Sequence, residues 1–324
     1  MTLRPHAATS NPPMPALALL PRRRRELPRN SLFDSRFVPL LLVAGCILFL
    51  LVFVGYPIFY NIIMSFQDVR LGNIRNLSRP FVGIANYHAI LDDPIFLEVT
   101  GNTIVFVASS VVLQVGFGLL LALFFNLDFP GAGWMRGTVL AGWILPPLVI
   151  AGIFRWLFST NGGVVNEILR FAGLVGRPIS FLPSPETAMP VVVLTNVRIG
   201  APFAMILMSA ALFELPKELY EAAALDCASA RQRFLNITWP LMRPTIYAVL
   251  SLCTIYALRT FDVIWGLTAG GPVDATTTFA IWSYKLSFGG FHFGQGAVIA
   301  ALMFVCILFA ALFYNRSLRA EVRV

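Results

Sequence analysis

The chain has 324 residues, of which 57% are hydrophobic and 12% are charged, and its formal net charge is +8. Soluble domains carry about 25% charged residues, so this composition excludes a soluble protein of this size and indicates a polytopic membrane protein. The basic excess does not indicate a nucleic-acid-binding protein, because it is concentrated in alternate segments between apolar runs.

Six apolar runs are long enough to cross a bilayer, which takes about 20 mainly apolar residues per helix. They predict an all-α fold with six transmembrane helices, because strands of a membrane barrel would alternate in polarity over about 10 residues. The predicted spans cover residues 38–62, 101–126, 138–158, 188–212, 245–266 and 296–314.

The basic residues predict the orientation of the chain in the membrane. Fifteen Lys and Arg residues lie in segments 1–37, 127–137, 213–244 and 315–324, against six in segments 63–100, 159–187 and 267–295. The positive-inside rule places both termini and the 213–244 loop in the cytoplasm, where basic residues also attract anionic lipid. We interpret residues 1–36, which include six prolines, as a disordered cytoplasmic tail and residues 37–324 as the membrane domain.

The third predicted span contains Pro146-Pro147, which removes two backbone donors. Such breaks are tolerated in a membrane helix where neighbours or a cavity satisfy the freed carbonyl groups. The pair predicts either a structural kink or a gating hinge.

A polar, amphipathic loop at 213–244 joins the fourth and fifth spans. Pro216 suits the first turn of a helix, because its missing N–H would be unpaired there anyway. The acidic residues near this helix start are Glu218, Glu221 and Asp226. The small side chains of Ala222 and Ala223 predict close docking in a groove of a partner, where Glu221 can accept a charge-assisted hydrogen bond from Arg or Lys.

Charged residues inside the spans are functional candidates, because inserting one costs at least ~2.5–3.5 kcal/mol. Arg198 lies in the fourth span, and Arg259 and Asp262 lie in the fifth. Arg259 and Asp262 are three residues apart and are expected to share a helix face, where they would pair or line a transport path. In the last outer loop, the aromatic-rich stretch from Phe279 to Phe293 predicts a short interfacial helix that anchors in the headgroup region or contacts a substrate or binding protein.

Residues 221–240 read EAAALDCASARQRFLNITWP and resemble the EAA loop of the membrane subunits of binding-protein-dependent ABC importers. The resemblance extends over about residues 38–315 and is specific to the carbohydrate branch, whose members include permeases for maltose, trehalose and glycerol-3-phosphate. The other motifs that carry it are Gly101-Asn102-Thr103, Phe261 to Ile264, Leu267 to Pro272 and Phe293 to Ala297. It implies the fold of a type I ABC importer permease.

The EAA loop of that family contacts the ATPase. The resemblance therefore implies coupling contacts at Glu218, Glu221, Ala222, Ala223, Asp226, Cys227 and Ala228. Family members usually have Gly at position 227 and Leu at position 239, where this chain has Cys227 and Trp239. Because a Cβ in the left-handed conformation costs roughly 1 kcal/mol or more, we expect the turn at Cys227 to shift slightly.

In maltose-type relatives, parts of the fourth and fifth spans contact the sugar. The resemblance implies a substrate path at Asn196, Arg198, Gly200, Tyr256, Arg259 and Asp262. Asn and Arg suit hydroxyl groups, and Gly200 would let a ligand approach the backbone. Pairing of Arg198 with a partner chain is the alternative for that residue.

The resemblance implies import of a sugar or sugar-like solute by alternating access across the inner membrane of a prokaryote. It also implies a second homologous permease, two ATPase copies and an extracytoplasmic substrate-binding protein as partners. The chain has no G-x-x-x-x-G-K-[ST] phosphate loop, so ATP and Mg are expected on the ATPase, and no enzyme activity, cofactor or metal is expected in this chain.

Two other functions remain open. Two arginines in the path would suit a phosphate group, so glycerol-3-phosphate or a glycerophosphodiester is an alternative substrate. An ion-coupled secondary transporter is an alternative of a different class, although only Asp262 would supply an intramembrane coupling carboxylate.

Overall fold

A computed structural model describes residues 37–76, 78–127 and 129–321, so the predicted tail at 1–36 lies outside the described residues. The described part of the chain divides into two compact units, one that ends at Tyr56 and one that begins at Pro57. In the first unit, α1 (Phe37–Leu50) leads into a wide helical turn at Leu51–Gly55. The helix goes on as α2 (Tyr56–Ser65), and the whole apolar run Pro39–Ser65 is long enough to span a membrane, as predicted.

The second unit contains four further long apolar helices among the described residues. They are α4 (Phe96–Phe125), α8 (Pro185–Phe213), the run Ala230–Leu258 and α14 (Phe293–Glu321). The run Ala230–Leu258 consists of α10 (Ala230–Arg233), a wide turn at Phe234–Thr238 and α11 (Trp239–Leu258). The shorter connecting helices are α3 (Ala85–Leu91), α7 (Val164–Phe171), α9 (Lys217–Leu225), α12 (Asp262–Thr268) and α13 (Phe279–Tyr284).

The third predicted span is broken at its proline pair. Instead of one helix over 138–158, the structure has α5 (Ala132–Trp143) and α6 (Pro147–Leu157), which meet at an angle of 99°. Pro146 has an extended ψ of 136°, because a following proline disfavours the helical conformation of the residue before it. Pro147 then begins α6, where a missing N–H does no harm.

The fifth span, predicted at 245–266, both begins and ends earlier, because the helical run covers Ala230–Leu258. α11 stops at Leu258 and α12 begins at Asp262, so the prediction that Arg259 and Asp262 share a helix face is wrong. Arg259 caps the C-terminus of α11, and Asp262 stands in the first turn of α12, where the helix dipole favours a carboxylate. No ion pair joins these two residues among the salt bridges of the described part of the chain.

Helices α4, α8 and α11 form the main core of the second unit. Gly118 of α4 allows the backbone of α8 to approach closely, since an added Cβ would lie 2.5 Å from the Cβ of Ala204. Met205, Met208 and Val249 are almost fully buried in the same cluster. Small residues at a contact and dense van der Waals packing are what hold helices together in a membrane, where lipid tails remove most of the hydrophobic driving force.

The aromatic stretch of the last outer loop forms α13, as predicted, and continues into a wide turn at Lys285–Gly289. Phe279 and Trp282 pack inside the protein in a cluster with α14. Phe288, which is 61% exposed, and Phe291, which is 45% exposed, face outwards. The expected contact with headgroups or a partner therefore stays a prediction for Phe288 and Phe291 and is wrong for the buried Trp282.

The loop before α13 is closed by polar contacts. Lys285 Nζ donates to Asp274 Oδ1 at 2.8 Å and to Thr277 Oγ1 at 3.0 Å, while Asn102 Nδ2 of α4 donates to the Asp274 carbonyl at 2.9 Å. Partial burial acts to raise the pKa of the Asp274 carboxyl, but the hydrogen bonds from Lys285 and Thr277 and the lysine charge outweigh it. The pKa of Asp274 consequently lies below its ordinary value.

Candidate functional site

The predicted coupling residues lie on and just after a short exposed helix. α9 begins directly after Pro216, whose φ of −60° and missing N–H suit the start of a helix. Glu218 is in the first turn, and Glu218, Glu221 and Ala222 are all exposed, while Ala223 is half-buried. Glu221 makes no hydrogen bond or ion pair within the part of the chain that the structure describes, so its carboxylate is available to another protein.

The turn after α9 keeps the left-handed conformation that Gly would favour. Cys227 has a φ of +53°, and the N–H of Ala228 bonds back to the carbonyl of Ala223 at 2.9 Å, which is the pattern of a Schellman motif. The expectation that Cys227 shifts the turn is therefore wrong. Ser229 then caps α10 in a capping box with Gln232, which fixes the exit of the chain.

We expect Cys227→Gly to stabilise this turn. A Cβ in the left-handed region costs about 1–2 kcal/mol, which exceeds the roughly 0.4–1 kcal/mol by which glycine favours the unfolded chain. Amide hydrogen exchange at Ala223–Gln232 in the purified protein should slow by a fewfold. Cys227→Ala is the matched control, because it removes the thiol but keeps the Cβ. Equal protection in the Gly and Ala variants would contradict strain at this position.

Five of the six predicted substrate-path residues line one cavity of about 380 Å³. These residues are Asn196 and Gly200 on α8, Tyr256 on α11, Arg259 and Asp262. Asn196 is 6% exposed, and its Nδ2 atom has no hydrogen-bond partner in the described structure. A buried amide donor without a partner costs free energy, which a bound hydroxyl or water would offset.

Aromatic rings form much of the cavity wall. The ring centroids of Trp143 and Phe203 are 6.1 Å apart in a stacked arrangement, and those of Phe203 and Tyr256 are 5.7 Å apart in an edge contact. Phe261 also lines the cavity. Arg259 and Asp262 contribute one positive and one negative charge, and no other charged side chain in the described residues lines this space.

Gln114 of α4 is a cavity residue that the sequence interpretation missed. It is 4% exposed, and its Nε2 atom donates to the carbonyl of Asn196 at 3.1 Å. Its side chain occupies the space in front of Gly200, where an added Cβ would lie 2.5 Å from both Nε2 and Oε1. The expectation that Gly200 opens the backbone to a ligand is therefore wrong, because Gly200 makes room for Gln114. An amide in the middle of an apolar run was the signal that would have found it.

The comparison with protein families matches residues 114–323 to the binding-protein-dependent transport system inner membrane component. The chain belongs to this family. The permease is similar to the sulfoquinovosyl glycerol transport system permease protein of Agrobacterium fabrum, with 34% identity over 311 residues that cover 95% of this chain and 100% of the relative. It is also similar to the trehalose/maltose transport system permease protein of Thermococcus litoralis, with 36% identity over 236 residues that cover 73% and 79% of the two chains.

A solved structure supports the fold. A chain of a bacterial ABC transporter involved in the import of alginate superposes with a TM-score of 0.75 and 23% identity, covering 88% of the permease and 96% of that chain. The prediction of an all-α, type I ABC importer permease fold is confirmed. The permease is a membrane-embedded transport subunit and not an enzyme.

Arg198 of the permease lies away from the cavity that holds the other predicted path residues. It lines a separate, mainly apolar cavity of about 380 Å³ between α4, α5 and α8. Its guanidinium packs on Gly142 in the last turn of α5, where an added Cβ would lie 2.9 Å from Arg198 Cζ. Nη1 is buried without a partner in the described residues. The structure thus places Arg198 and Arg259 in different cavities. Pairing of Arg198 with a partner chain stays a prediction.

Proposed function

We propose that the permease carries a sugar or sugar-like solute through the cavity lined by α4, α8, α11 and α12, driven by ATP hydrolysed on a partner subunit. The observation that carries this proposal is the cavity lining, which combines aromatic rings with the amides of Gln114 and Asn196 and the charges of Arg259 and Asp262. Sugars offer apolar C–H faces to aromatic rings and hydroxyl groups that both donate and accept hydrogen bonds. The names of both similar permeases indicate substrates that contain sugars.

The arrangement of charges favours an uncharged solute over a phosphate ester. A phosphate group is recognised best by clustered basic side chains, and the phosphate alternative relied on Arg198 and Arg259 acting together. Arg198 faces a different cavity, and Arg259 shares its own cavity with the carboxylate of Asp262. Glycerol-3-phosphate therefore remains the second candidate substrate.

The assembly that we propose contains a second homologous permease, two ATPase copies and an extracytoplasmic substrate-binding protein. Tyr256 is 56% exposed, and Arg259 and Asp262 are also exposed in the single chain. A second permease would cover these side chains and complete the cavity. The exposed face of α9 would dock on an ATPase, and its movement during ATP binding and hydrolysis would alternate access to the two sides of the membrane.

We place this assembly in the inner membrane of a prokaryote, with both termini and the 213–244 loop in the cytoplasm. The support is the distribution of Lys and Arg. The 213–244 loop contains Arg231, Arg233 and Arg243, whereas segment 267–295 contains a single Lys or Arg residue, Lys285.

Cysteine labelling tests this orientation. A membrane-impermeant maleimide applied to intact cells is expected to miss Cys227 and to label new cysteines at Asn161 or Val273, both of which are exposed in loops predicted to face outwards. Permeabilised cells supply the control, since Cys227 is exposed and should react once the reagent can enter. Labelling of Cys227 from outside would contradict the orientation.

Transport in proteoliposomes tests the function. The complex of permease, partner permease and ATPase, with binding protein in the appropriate compartment, is expected to accumulate a radiolabelled neutral di- or oligosaccharide when ATP is supplied without an ion gradient. The same vesicles with a non-hydrolysable ATP analogue provide the control. Accumulation driven by a proton or sodium gradient without ATP would support a secondary transporter, and selective uptake of glycerol-3-phosphate would support the second candidate substrate.

A further inference from the structure

A hydrogen bond joins the exposed helix α9 to the start of the long helix α11. The hydroxyl oxygens of Tyr220 and Thr238 lie 2.8 Å apart, across a separation of 18 residues. Tyr220 is in the middle of α9 and half-buried, and Thr238 is 6% exposed at the end of the wide turn before α11. Neither residue is among the predicted coupling contacts. The bond is thus internal to the 213–244 loop.

The bond gives α9 a second attachment to the span that follows it. The first is the covalent turn from Asp226 to Ser229, whose geometry is set by the left-handed Cys227 and by the Ser229 capping box. A single attachment lets α9 rotate about that turn relative to the following span, whereas two attachments fix its direction relative to that span. The Tyr220–Thr238 contact therefore makes α9 and the first turns of Ala230–Leu258 one rigid piece.

The far end of the same piece reaches the cavity. α11 runs from Trp239 to Leu258, which at about 1.5 Å per residue is roughly 30 Å of continuous helix. Tyr256, near its end, and Arg259, at its C-cap, line the cavity, while Met242 and Val249 pack along its length against α4 and α8. A displacement of the first turn of α11 would therefore be carried to the cavity wall.

We propose that the Tyr220–Thr238 hydrogen bond is the positioning contact that converts movement of α9 into movement of α11 and of the cavity. This inference rests on the proposed function, because it assumes that an ATPase moves α9. Without the bond, α9 would pivot on the 226–229 turn, so ATP would still be hydrolysed but less of the motion would reach Tyr256 and Arg259.

The test measures solute transported per ATP hydrolysed in proteoliposomes that contain the whole complex. Tyr220→Phe and Thr238→Val each remove one hydroxyl with little change in volume. Both are expected to assemble and to hydrolyse ATP within about twofold of wild type, while transport per ATP falls about three- to tenfold, as expected for the loss of one partly buried hydrogen bond. Thr238→Ser keeps the hydroxyl and is expected to keep the coupling ratio. The double variant should be no worse than either single variant, because both remove the same bond.

Matched controls on α11 separate this effect from general damage. Tyr247→Phe and Thr245→Val make the same chemical changes at half-buried positions for which the structure describes no side-chain hydrogen bond, and both should leave the ratio unchanged. An unchanged ratio in Tyr220→Phe and Thr238→Val, additive losses in the double variant, or loss of assembly in both singles would each overturn the positioning role. Failure of the wild-type complex to transport with ATP would instead contradict the proposed function.

Discussion

Replacing Glu221 with lysine is expected to leave the permease in the membrane but to weaken its binding to the ATPase by at least about thirtyfold. Glu221 is exposed on α9 and unpaired within the described residues, so its removal breaks no contact of the permease itself. In a docked complex, however, its carboxylate would accept a hydrogen bond from a basic side chain of the ATPase. Truncating or reversing one partner of such a pair costs about 2–5 kcal/mol, of which each 1.4 kcal/mol is a factor of ten.

The measurement is co-purification of the ATPase with the tagged permease, followed by ATP-driven uptake. Glu214→Lys is the matched control, because Glu214 is an exposed residue at the C-terminus of α8 that carries the same charge and is outside the predicted coupling set. Glu221→Lys should lose uptake while Glu214→Lys retains it. If Glu221→Lys co-purifies and transports normally, Glu221 makes no coupling contact.

The approximate positions of most spans could be predicted because the length of an apolar run is a local property of the sequence. The run at 188–212 corresponds to α8 over Pro185–Phe213, and the break in the third span occurs at the proline pair that predicted it. The size of that bend was not predictable, because a proline pair removes hydrogen bonds without specifying which neighbours satisfy the freed carbonyl groups. The 99° angle depends on how α5 and α6 pack against the rest of the unit.

The cavity could be predicted only in part, because its residues come from different helices. The resemblance to sugar permeases implied Asn196 and Gly200, and the structure places both in one cavity. The role of Gly200 was misread, since the side chain that fills the space in front of it belongs to Gln114 on α4. Arg198 and Arg259 looked equivalent as intramembrane cations, yet the rotation of α8 turns Arg198 towards α5. Such contacts depend on helix packing, which no single stretch of sequence contains.

Local strain was also misjudged. At Cys227, the cost of a Cβ at positive φ predicted a shifted turn, but the structure keeps a φ of +53°. The hydrogen bond from Ala228 to Ala223 and the capping box at Ser229 hold the chain on either side of Cys227. A hydrogen bond and a helix cap each contribute on the order of 1 kcal/mol, which offsets the roughly 1–2 kcal/mol that the left-handed conformation costs. A propensity argument for one residue therefore gave the wrong answer where its neighbours fix the turn.

Gly200→Ala is expected to reduce sugar transport by at least about tenfold without preventing assembly. The new Cβ would lie 2.5 Å from Nε2 and Oε1 of Gln114. Two non-bonded heavy atoms of these types do not approach so closely, so the amide must move. The bond from Gln114 Nε2 to the Asn196 carbonyl would break, and the displaced side chain would enter the cavity. Loss of a buried hydrogen bond costs about 1–3 kcal/mol, and the cavity volume left for the solute also falls.

Two further variants identify the cause of that loss. Gly116→Ala makes the same substitution on α4 where nothing lies within 4 Å of the added Cβ, so transport should be retained. Adding Gln114→Ala to Gly200→Ala relieves the clash but does not restore the amide of Gln114. The double variant should therefore transport like Gln114→Ala alone and not like wild type. If Gly200→Ala transports like Gly116→Ala, the Gln114 side chain can move aside without loss of transport and has no part in the path. If the double variant recovers full transport, the amide is only an obstacle, and the solute is recognised by Asn196, Tyr256 and the two charges instead.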